Sequence, residues 1–134
     1  KKNRRQIMTN KTEVSNSELK VLEILYDKKE AVTIPQILLE LKKQGLDWLN
    51  PTVANYLKRL QKKGIVDSVK KGQNRYFYAI VSKQEMQNED AKKIIDTRFK
   101  GSFINFLCAF SKETKLSKEE IKQIKEWAEH LDDE

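Results

Sequence analysis

The 134-residue chain is long enough for one domain or two very small ones, with 35% charged and 38% hydrophobic residues. No stretch approaches the roughly 20 apolar residues of a membrane span, so we expect no direct membrane insertion and a soluble, cytoplasmic protein. The single cysteine and single histidine exclude an intramolecular disulfide and a zinc cluster within one chain, and there is no glycine-rich phosphate loop.

The net charge of +7 is unevenly distributed along the chain. Residues 1–80 hold 17 Lys and Arg against 8 Asp and Glu, whereas residues 81–134 hold 10 against 12. A basic half favours a polyanionic partner such as nucleic acid. A ribosomal or membrane-surface protein would show the same asymmetry, so charge alone does not choose among these classes.

The N-terminal part of the chain predicts a basic arm followed by two helices. Residues 1–14 carry five Lys and Arg without hydrophobic periodicity, and predict a basic arm that either touches DNA non-specifically or has no binding role. Ser15 and Glu18 have the spacing of a capping box and predict the start of a first helix. A second helix is predicted over residues 33–43, with Thr33 as its cap.

A third predicted helix carries the functional prediction. Asn50 is a favourable N-cap residue, Pro51 is tolerated at the first helical position, and Gly64 can supply a left-handed stop. At about 100° per residue the helix has two distinct faces. The apolar face carries Val53, Tyr56, Leu57 and Leu60. The opposite face carries Thr52, Asn55, Lys58, Arg59 and Lys62.

The polar face consists of cations and short polar groups, with no carboxylate. Such a face suits the DNA major groove, because Asn can read a base edge and Lys or Arg can bind phosphates. Thr52 and Asn55 are therefore the predicted base-reading residues, and Lys58, Arg59 and Lys62 are predicted phosphate ligands. An ordinary solvated helix face is the alternative interpretation.

A β-hairpin is predicted after the third helix, because the hydrophobic period changes to that of a strand. Residues 65–69 and 75–81 are the predicted strands, and the basic, polar residues 70–74 connect them. Three helices followed by a hairpin with a cationic tip are typical of a winged helix-turn-helix domain. The hairpin adds Lys71 and Arg75 as predicted phosphate ligands, with Gln73 and Asn74 at the wing tip.

Residues 82–134 predict three further helices. Capping-box patterns at Ser82 and Glu85, and at Ser117 and Glu120, mark the first and the last of them. The apolar run FINFLCAF forms the middle helix, in which Cys108 is predicted to be an inert buried thiol rather than a nucleophile.

This C-terminal part holds more apolar surface than so small a unit can bury alone. We therefore expect it to form a homodimer, which would present two reading helices to a palindromic site. The alternative is that the tail packs onto its own winged helix. The predicted dimer interface comprises Ile94, Ile95, Phe99, Phe103, Leu107, Phe110, Ile121, Ile124, Trp127 and Leu131.

Several short motifs, taken in their order and spacing, carry a family resemblance. They are Ser15-x-x-Glu18, Trp48, Thr52-Val53, Leu57, Arg59-Leu60, Lys62-Lys63-Gly64, Tyr76-Phe77-Tyr78, Lys100-Gly101 with Phe103, and Leu116-Ser117. In these the chain resembles the penicillinase-repressor (BlaI/MecI/CopY) family of bacterial winged-helix transcriptional repressors. The resemblance implies an N-terminal winged helix, a C-terminal dimerisation unit and repression of a resistance operon at a palindromic operator, without a cofactor.

The resemblance also suggests how repression is relieved. In the β-lactam branch a membrane sensor pathway leads to cleavage of an Asn–Phe bond, which the family pattern places at Ala109-Phe110, with Ala in place of Asn. An Asn105-Phe106 pair lies one helical turn earlier. In the copper branch paired Cys-x-Cys motifs bind metal, and the tail here lacks cysteine, so no metal site is predicted.

The predicted fold is mainly α with a small β-hairpin. It comprises a basic arm (1–14), a winged-helix DNA-binding domain (15–81) and a helical dimerisation domain (82–134). The predicted function is a sequence-specific, homodimeric repressor of an antibiotic-resistance (β-lactamase-type) operon, and not an enzyme. Two alternatives are a winged-helix module that docks an acidic protein partner, and a repressor of the same family that answers a different signal.

Overall fold

A computed structural model describes residues 13–132 of the chain, so most of the predicted basic arm lies outside the described residues. Between these limits the chain forms six helices and one β-hairpin, in the predicted order. They are α1 (Asn16–Asp27), α2 (Ile34–Lys43), α3 (Asn50–Lys62), β1 (Val66–Lys71), β2 (Asn74–Ala79), α4 (Lys83–Arg98), α5 (Phe103–Glu113) and α6 (Lys118–Leu131). Within the described range no helix is long and apolar enough to cross a membrane.

The chain divides into two compact units, and the division falls after Glu89, inside α4. The sequence-based boundary between residues 81 and 82 differs from this position. Met86 explains the difference, because its side chain is only 4% exposed and belongs to the core of the first unit. The first turns of α4 therefore complete the first unit.

The core of the first unit is formed by α1, α2, α3 and the hairpin. Leu22, Ile37 and Leu57 are fully buried and represent the three helices. Val32 forms a bridge with Phe77 through two backbone hydrogen bonds of 3.0 and 2.7 Å, which attaches the segment before α2 to β2. Each fully buried side chain of this size contributes about 1.5–3 kcal/mol, so this core holds α3 firmly by its apolar face.

The predicted capping boxes at Ser15, Ser82 and Ser117 are confirmed, since each hydroxyl accepts from a backbone N–H three residues later at 3.0–3.1 Å. The prediction that Asn50 caps α3 is wrong. Asn50 is already helical, and the N-cap position belongs to Leu49, whose backbone is extended (φ −100, ψ 162). A cap side chain can fold back only from such an extended residue, so Asn50 comes one position too late.

The turn of the hairpin is tighter than the sequence predicted, and both strands extend further toward it. β1 and β2 pair antiparallel, from Val66 with Ala79 to Lys71 with Asn74. Only Gly72 and Gln73 form the turn, and Gly72 has the positive φ of 64° that glycine favours at the first position of a two-residue turn. The predicted five-residue connection is therefore wrong, and Asn74, which was expected at the wing tip, is the first residue of β2 and borders the turn.

The second unit consists of the end of α4 with α5 and α6. The chain reverses between α4 and α5 through Lys100 and Gly101, which have φ of 52° and 82°. None of the described side chains in 90–132 is buried. Cys108 is exposed, so its predicted burial is wrong. The apolar run around Cys108 is only partly covered within this unit, where the rings of Phe103 and Trp127 lie 5.9 Å apart.

Candidate nucleic-acid interface

Helix α3 is held by one face and exposed on the other. Val53, Leu57 and Leu60 have no exposed surface. The predicted base-reading residue Asn55 is exposed and Thr52 is partly exposed. The three predicted phosphate ligands of this helix are all exposed, namely Lys58, Arg59 and Lys62. The packing of α3 thus brings the predicted polar face to the surface as one ridge.

An aromatic pair supports one edge of this ridge. Tyr56 lies against Trp48, with ring centroids 5.4 Å apart. The guanidinium of Arg59 lies over the Tyr56 ring at 5.7 Å from its centroid. A cation over an aromatic face is attracted by the ring quadrupole. The pair therefore restrains Arg59 while leaving its N–H groups able to meet an anion.

The hairpin adds a second group of cations and amides. Lys71, Gln73, Asn74 and Arg75 are exposed at its turn end. Lys71 lies 5.9 Å from the centroid of the Tyr76 ring. These residues occupy the end of the hairpin where the sequence analysis placed its wing contacts.

Ser68 links the hairpin to α3 and was missed by the sequence analysis. Its hydroxyl accepts from Arg75 Nη1 at 3.0 Å and from Gln61 Nε2 at 3.3 Å. Gln61 belongs to α3 and Arg75 to β2, so one hydroxyl on β1 connects both parts of the predicted DNA surface. No motif marks Ser68 in the sequence, because its partners lie seven residues away on either side.

Lys63 has a different role from its neighbour Lys62. Its Nζ donates to Glu18 Oε1 at 2.7 Å and to the Glu13 carbonyl at 2.6 Å. Glu18 is only 2% exposed, and its Oε1 also accepts from the Ser15 N–H at 3.1 Å. The end of α3 is thereby tied to the start of α1. Sequence reasoning found the capping role of Glu18 but not this partner, which is 45 residues away.

Glu40 on α2 engages two cations that would otherwise add to the basic surface. Its Oε2 lies 3.0 Å from Lys28 Nζ and 3.3 Å from Lys43 Nζ. Hydrogen bonds from Lys28 and then from Lys43 lower the pKa of the Glu40 carboxyl below its ordinary value. Two exposed cations of the first unit are therefore paired with a carboxylate.

The second unit presents an apolar surface. A groove of about 360 Å³ runs between α5 and α6, and Leu107, Phe110, Ile124 and Trp127 are among its lining residues. Every member of the predicted dimer interface is at least partly exposed. The most exposed members are 41–50% exposed, namely Ile94, Phe103, Phe110, Ile121, Trp127 and Leu131.

Both candidate cleavage bonds lie within α5. Asn105, Ala109 and Phe110 are exposed, and Phe106 is partly exposed. The helix is well anchored at its start, where the Asn105 N–H donates to the Ser102 hydroxyl at 3.0 Å. Among the described residues no group of three or more His, Cys, Asp and Glu side chains is placed to hold a metal ion.

Comparison with known proteins identifies the family. The family model described as "Penicillinase repressor" matches residues 14–130, which is most of the chain. The chain belongs to the penicillinase repressor family. It is thus a transcriptional repressor that binds DNA, and this family is not one of enzymes. The resemblance noted from the sequence motifs is confirmed.

Individual relatives agree with the family assignment. The methicillin resistance regulatory protein MecI of Staphylococcus aureus (strain N315) is 31% identical over 119 residues, which cover 88% of this chain and 95% of that protein. MecI of Mammaliicoccus sciuri has the same identity and coverage. These relatives therefore match this chain through both of its units.

Solved structures confirm the winged-helix fold. A point mutant of S. aureus MepR has a TM-score of 0.50 and 19% identity, covering 97% of this chain and 88% of that chain. A second MepR mutant, from a multidrug-resistant S. aureus clinical isolate, has a TM-score of 0.50 and 19% identity, covering 95% of this chain and 85% of that chain. The predicted fold class of this penicillinase repressor is therefore correct.

Proposed function

We propose that this penicillinase repressor acts as a homodimer on a palindromic operator and represses an antibiotic-resistance operon of the β-lactamase type. The observation that carries the proposal is the exposed cationic ridge of α3. The opposite face of this helix is held in the core by Val53, Leu57 and Leu60, and the cationic hairpin is linked to the helix through Ser68. A rigid helix with short polar and cationic side chains fits the major groove.

The residues divide by the type of contact they offer. Thr52 and Asn55 contact base edges, and Asn55 suits an adenine because its amide can both donate and accept. The remaining contacts position the protein without reading sequence. The phosphate ligands are Lys58, Arg59, Lys62, Lys71 and Arg75, and Gln73 and Asn74 approach the DNA from the hairpin.

The second unit supports a homodimer. It buries none of its described side chains, and it exposes a groove whose lining includes Phe110 and Trp127. Apolar patches of this kind mark interaction surfaces. A two-fold dimer presents its reading helices about 34 Å apart, one turn of DNA, and therefore requires a palindromic site.

The regulated genes are proposed from the relatives, whose name refers to methicillin resistance. We propose release from DNA through a membrane sensor-protease pathway that cuts the second unit, at Ala109-Phe110 or at Asn105-Phe106. Both bonds are helical, so cutting requires local unwinding of α5. Asn105-Phe106 alone retains the Asn–Phe pair of the β-lactam branch.

Selection of duplexes from a random library by the full chain tests the proposed function. The expected product is a palindrome whose half-sites are centred about one helical turn apart. Titration of the selected and scrambled duplexes across salt should then give tighter binding to the selected one, with affinity falling as salt rises. A chain that binds no duplex at low salt contradicts the proposed function and favours the alternative of a module that docks an acidic protein.

A further inference from the structure

Helix α3 begins differently from the other helices that the structure describes. Each of α1, α2, α4, α5 and α6 follows a Ser or Thr whose hydroxyl accepts from a backbone N–H three residues later. Helix α3 follows Leu49, and no side chain caps its first turn. Leucine ranks far below Ser, Asn or Asp at this position. The helix proposed to read DNA therefore lacks a stabilising cap.

Leu49 is also the most exposed large apolar side chain in the described part of the chain, at 71%. Its neighbour Trp48, by contrast, packs against the core. A single exposed leucine is ordinary on a protein surface. At Leu49, however, the exposure coincides with a position where a polar residue would stabilise the fold. Leucine at this position therefore gives the fold neither a helix cap nor buried apolar surface.

We propose that Leu49 is a specificity-determining residue, which packs on the C5-methyl group of a thymine in the operator. This inference rests on the proposed function, in which α3 enters the major groove. The N-terminal residues of a recognition helix contact base edges. The thymine methyl is the apolar group that base pairs present in the major groove, and apolar side chains contact it.

The position of Leu49 relative to Thr52 fits this role. The Leu49 carbonyl accepts from the backbone N–H of Thr52 at 3.0 Å and of Val53 at 3.2 Å. Leu49 therefore lies at the same end of α3 as Thr52, which is a proposed base-reading residue. Thr52 offers a hydroxyl and Leu49 an apolar surface, so the two residues recognise different features of neighbouring base pairs.

The test uses the duplex that the full chain selects. At one position of each half-site at a time, thymine is replaced by deoxyuridine, which lacks only the methyl group. Burial of one methyl group is worth about fourfold in affinity per half-site, or about 0.8 kcal/mol at 1.4 kcal/mol per factor of ten. We expect the native chain to lose about fourfold per half-site at one particular thymine, or about 16-fold for the duplex substituted in both half-sites, and little at other thymines.

Two variants assign the effect to Leu49. Leu49→Ser can cap α3, so it should melt no lower than the native chain, yet bind the thymine and deoxyuridine duplexes equally at that position. Leu49→Met keeps an apolar side chain and should retain the sensitivity to the methyl group. The melting temperature shows that loss of sensitivity in Leu49→Ser does not arise from unfolding.

Each outcome bears on the inference. A native chain that selects a duplex but is insensitive to deoxyuridine at every thymine overturns the role of Leu49 and leaves the proposed function intact. Sensitivity that persists at the same thymine in Leu49→Ser assigns the methyl contact to another residue and also overturns the inference. A chain that selects no duplex overturns the proposed function and this inference together.

Discussion

The residues Asn55 and Lys62 are exposed on the same face of α3 but have different proposed contacts. Asn55→Ala should cost about 1–3 kcal/mol per half-site on the operator and little on a scrambled duplex, because a base contact carries sequence information. Lys62→Ala should weaken both duplexes equally and reduce the slope of log affinity against log salt by about 0.9 per protomer.

Gel shifts on both duplexes at several salt concentrations measure these effects. Lys112→Ala on α5 is a matched control, because this exposed lysine lies in the second unit. Equal losses on both duplexes for Asn55→Ala would remove its base-reading role. A loss confined to the operator for Lys62→Ala would mean that Lys62 contacts a base rather than a phosphate.

Single residues also show what sequence can and cannot predict. The exposed face of α3 follows from helical periodicity, because the apolar positions fix which side meets the core. The distinction between Lys62 and Lys63 does not follow, since both are cations at the end of one helix. Only the fold brings Glu18 to Lys63, and only backbone geometry decides that Leu49, rather than Asn50, occupies the N-cap position.

Two helices are joined by one ion pair: Lys63 and Glu18 connect the end of α3 to the start of α1. Lys63→Met keeps the apolar stem but leaves the Glu18 carboxylate, which is 2% exposed, without its cation. Removing one partner of a buried pair typically costs about 3–5 kcal/mol. Because Ser15 still donates to Glu18, we expect the lower end, about 3 kcal/mol, in the free energy of unfolding from urea denaturation.

Two further variants test the cause of this loss. Lys62→Met removes a neighbouring cation that is exposed, and should change the free energy of unfolding by less than about 0.5 kcal/mol. Glu18→Gln combined with Lys63→Met should be more stable than Lys63→Met alone, because no buried charge then lacks a partner. If Lys63→Met is as mild as Lys62→Met, the pair does not hold the two helices together.

The Glu40 cluster connects the end of α1 to α2 and predicts a dependence on pH. The pKa of Glu40 is lowered by hydrogen bonds from Lys28, the larger cause, and from Lys43. The folded state therefore binds a proton at Glu40 less readily than the unfolded state does. The stabilisation of the folded state by ionised Glu40 is fully present above the ordinary glutamate pKa of 4.5. It is lost as pH falls through the lowered pKa of the folded state. Lys28→Ala should raise the pKa of Glu40 in a carboxyl NMR titration, whereas the exposed Lys29→Ala should not.

Elements differ in how far their sequence defines them. The helix starts at Ser15, Ser82 and Ser117 are local patterns, and each is found where the sequence predicted it. The hairpin turn depends on cross-strand register instead. The turn consists of Gly72 and Gln73 because Lys71 pairs with Asn74, and no local pattern in the sequence specifies this pairing.

In the molecule as a whole, the second unit carries apolar side chains that one copy of the chain does not bury. The sequence predicts an apolar surface in excess of what the unit can bury, and the exposure of Cys108 is the direct consequence. Hydrophobicity indicates that such a surface is covered, but it does not indicate by what. The proposed second copy would satisfy both units at once, since it would bury the groove and supply the second reading helix.

The dimer is tested by substitutions that charge this surface in the full chain. Phe110→Lys and Leu131→Lys alter predicted interface side chains that are 43% and 47% exposed, so they should leave the protomer folded. Burying a lysine in an apolar interface is costly, and we expect both variants to sediment as monomers. Ile104→Lys is the control, because Ile104 is 62% exposed and lies outside the predicted interface.

Operator binding should fail together with dimerisation. A monomer engages one half-site, so its affinity for the full palindrome should fall to that for a single half-site, while weak salt-sensitive binding through α3 remains. A native chain that sediments as a monomer, or Phe110→Lys and Leu131→Lys dimers as stable as the native one, would contradict this interface. An Ile104→Lys monomer would extend the dimer contact on α5 to Ile104, because a lysine there would then disrupt it.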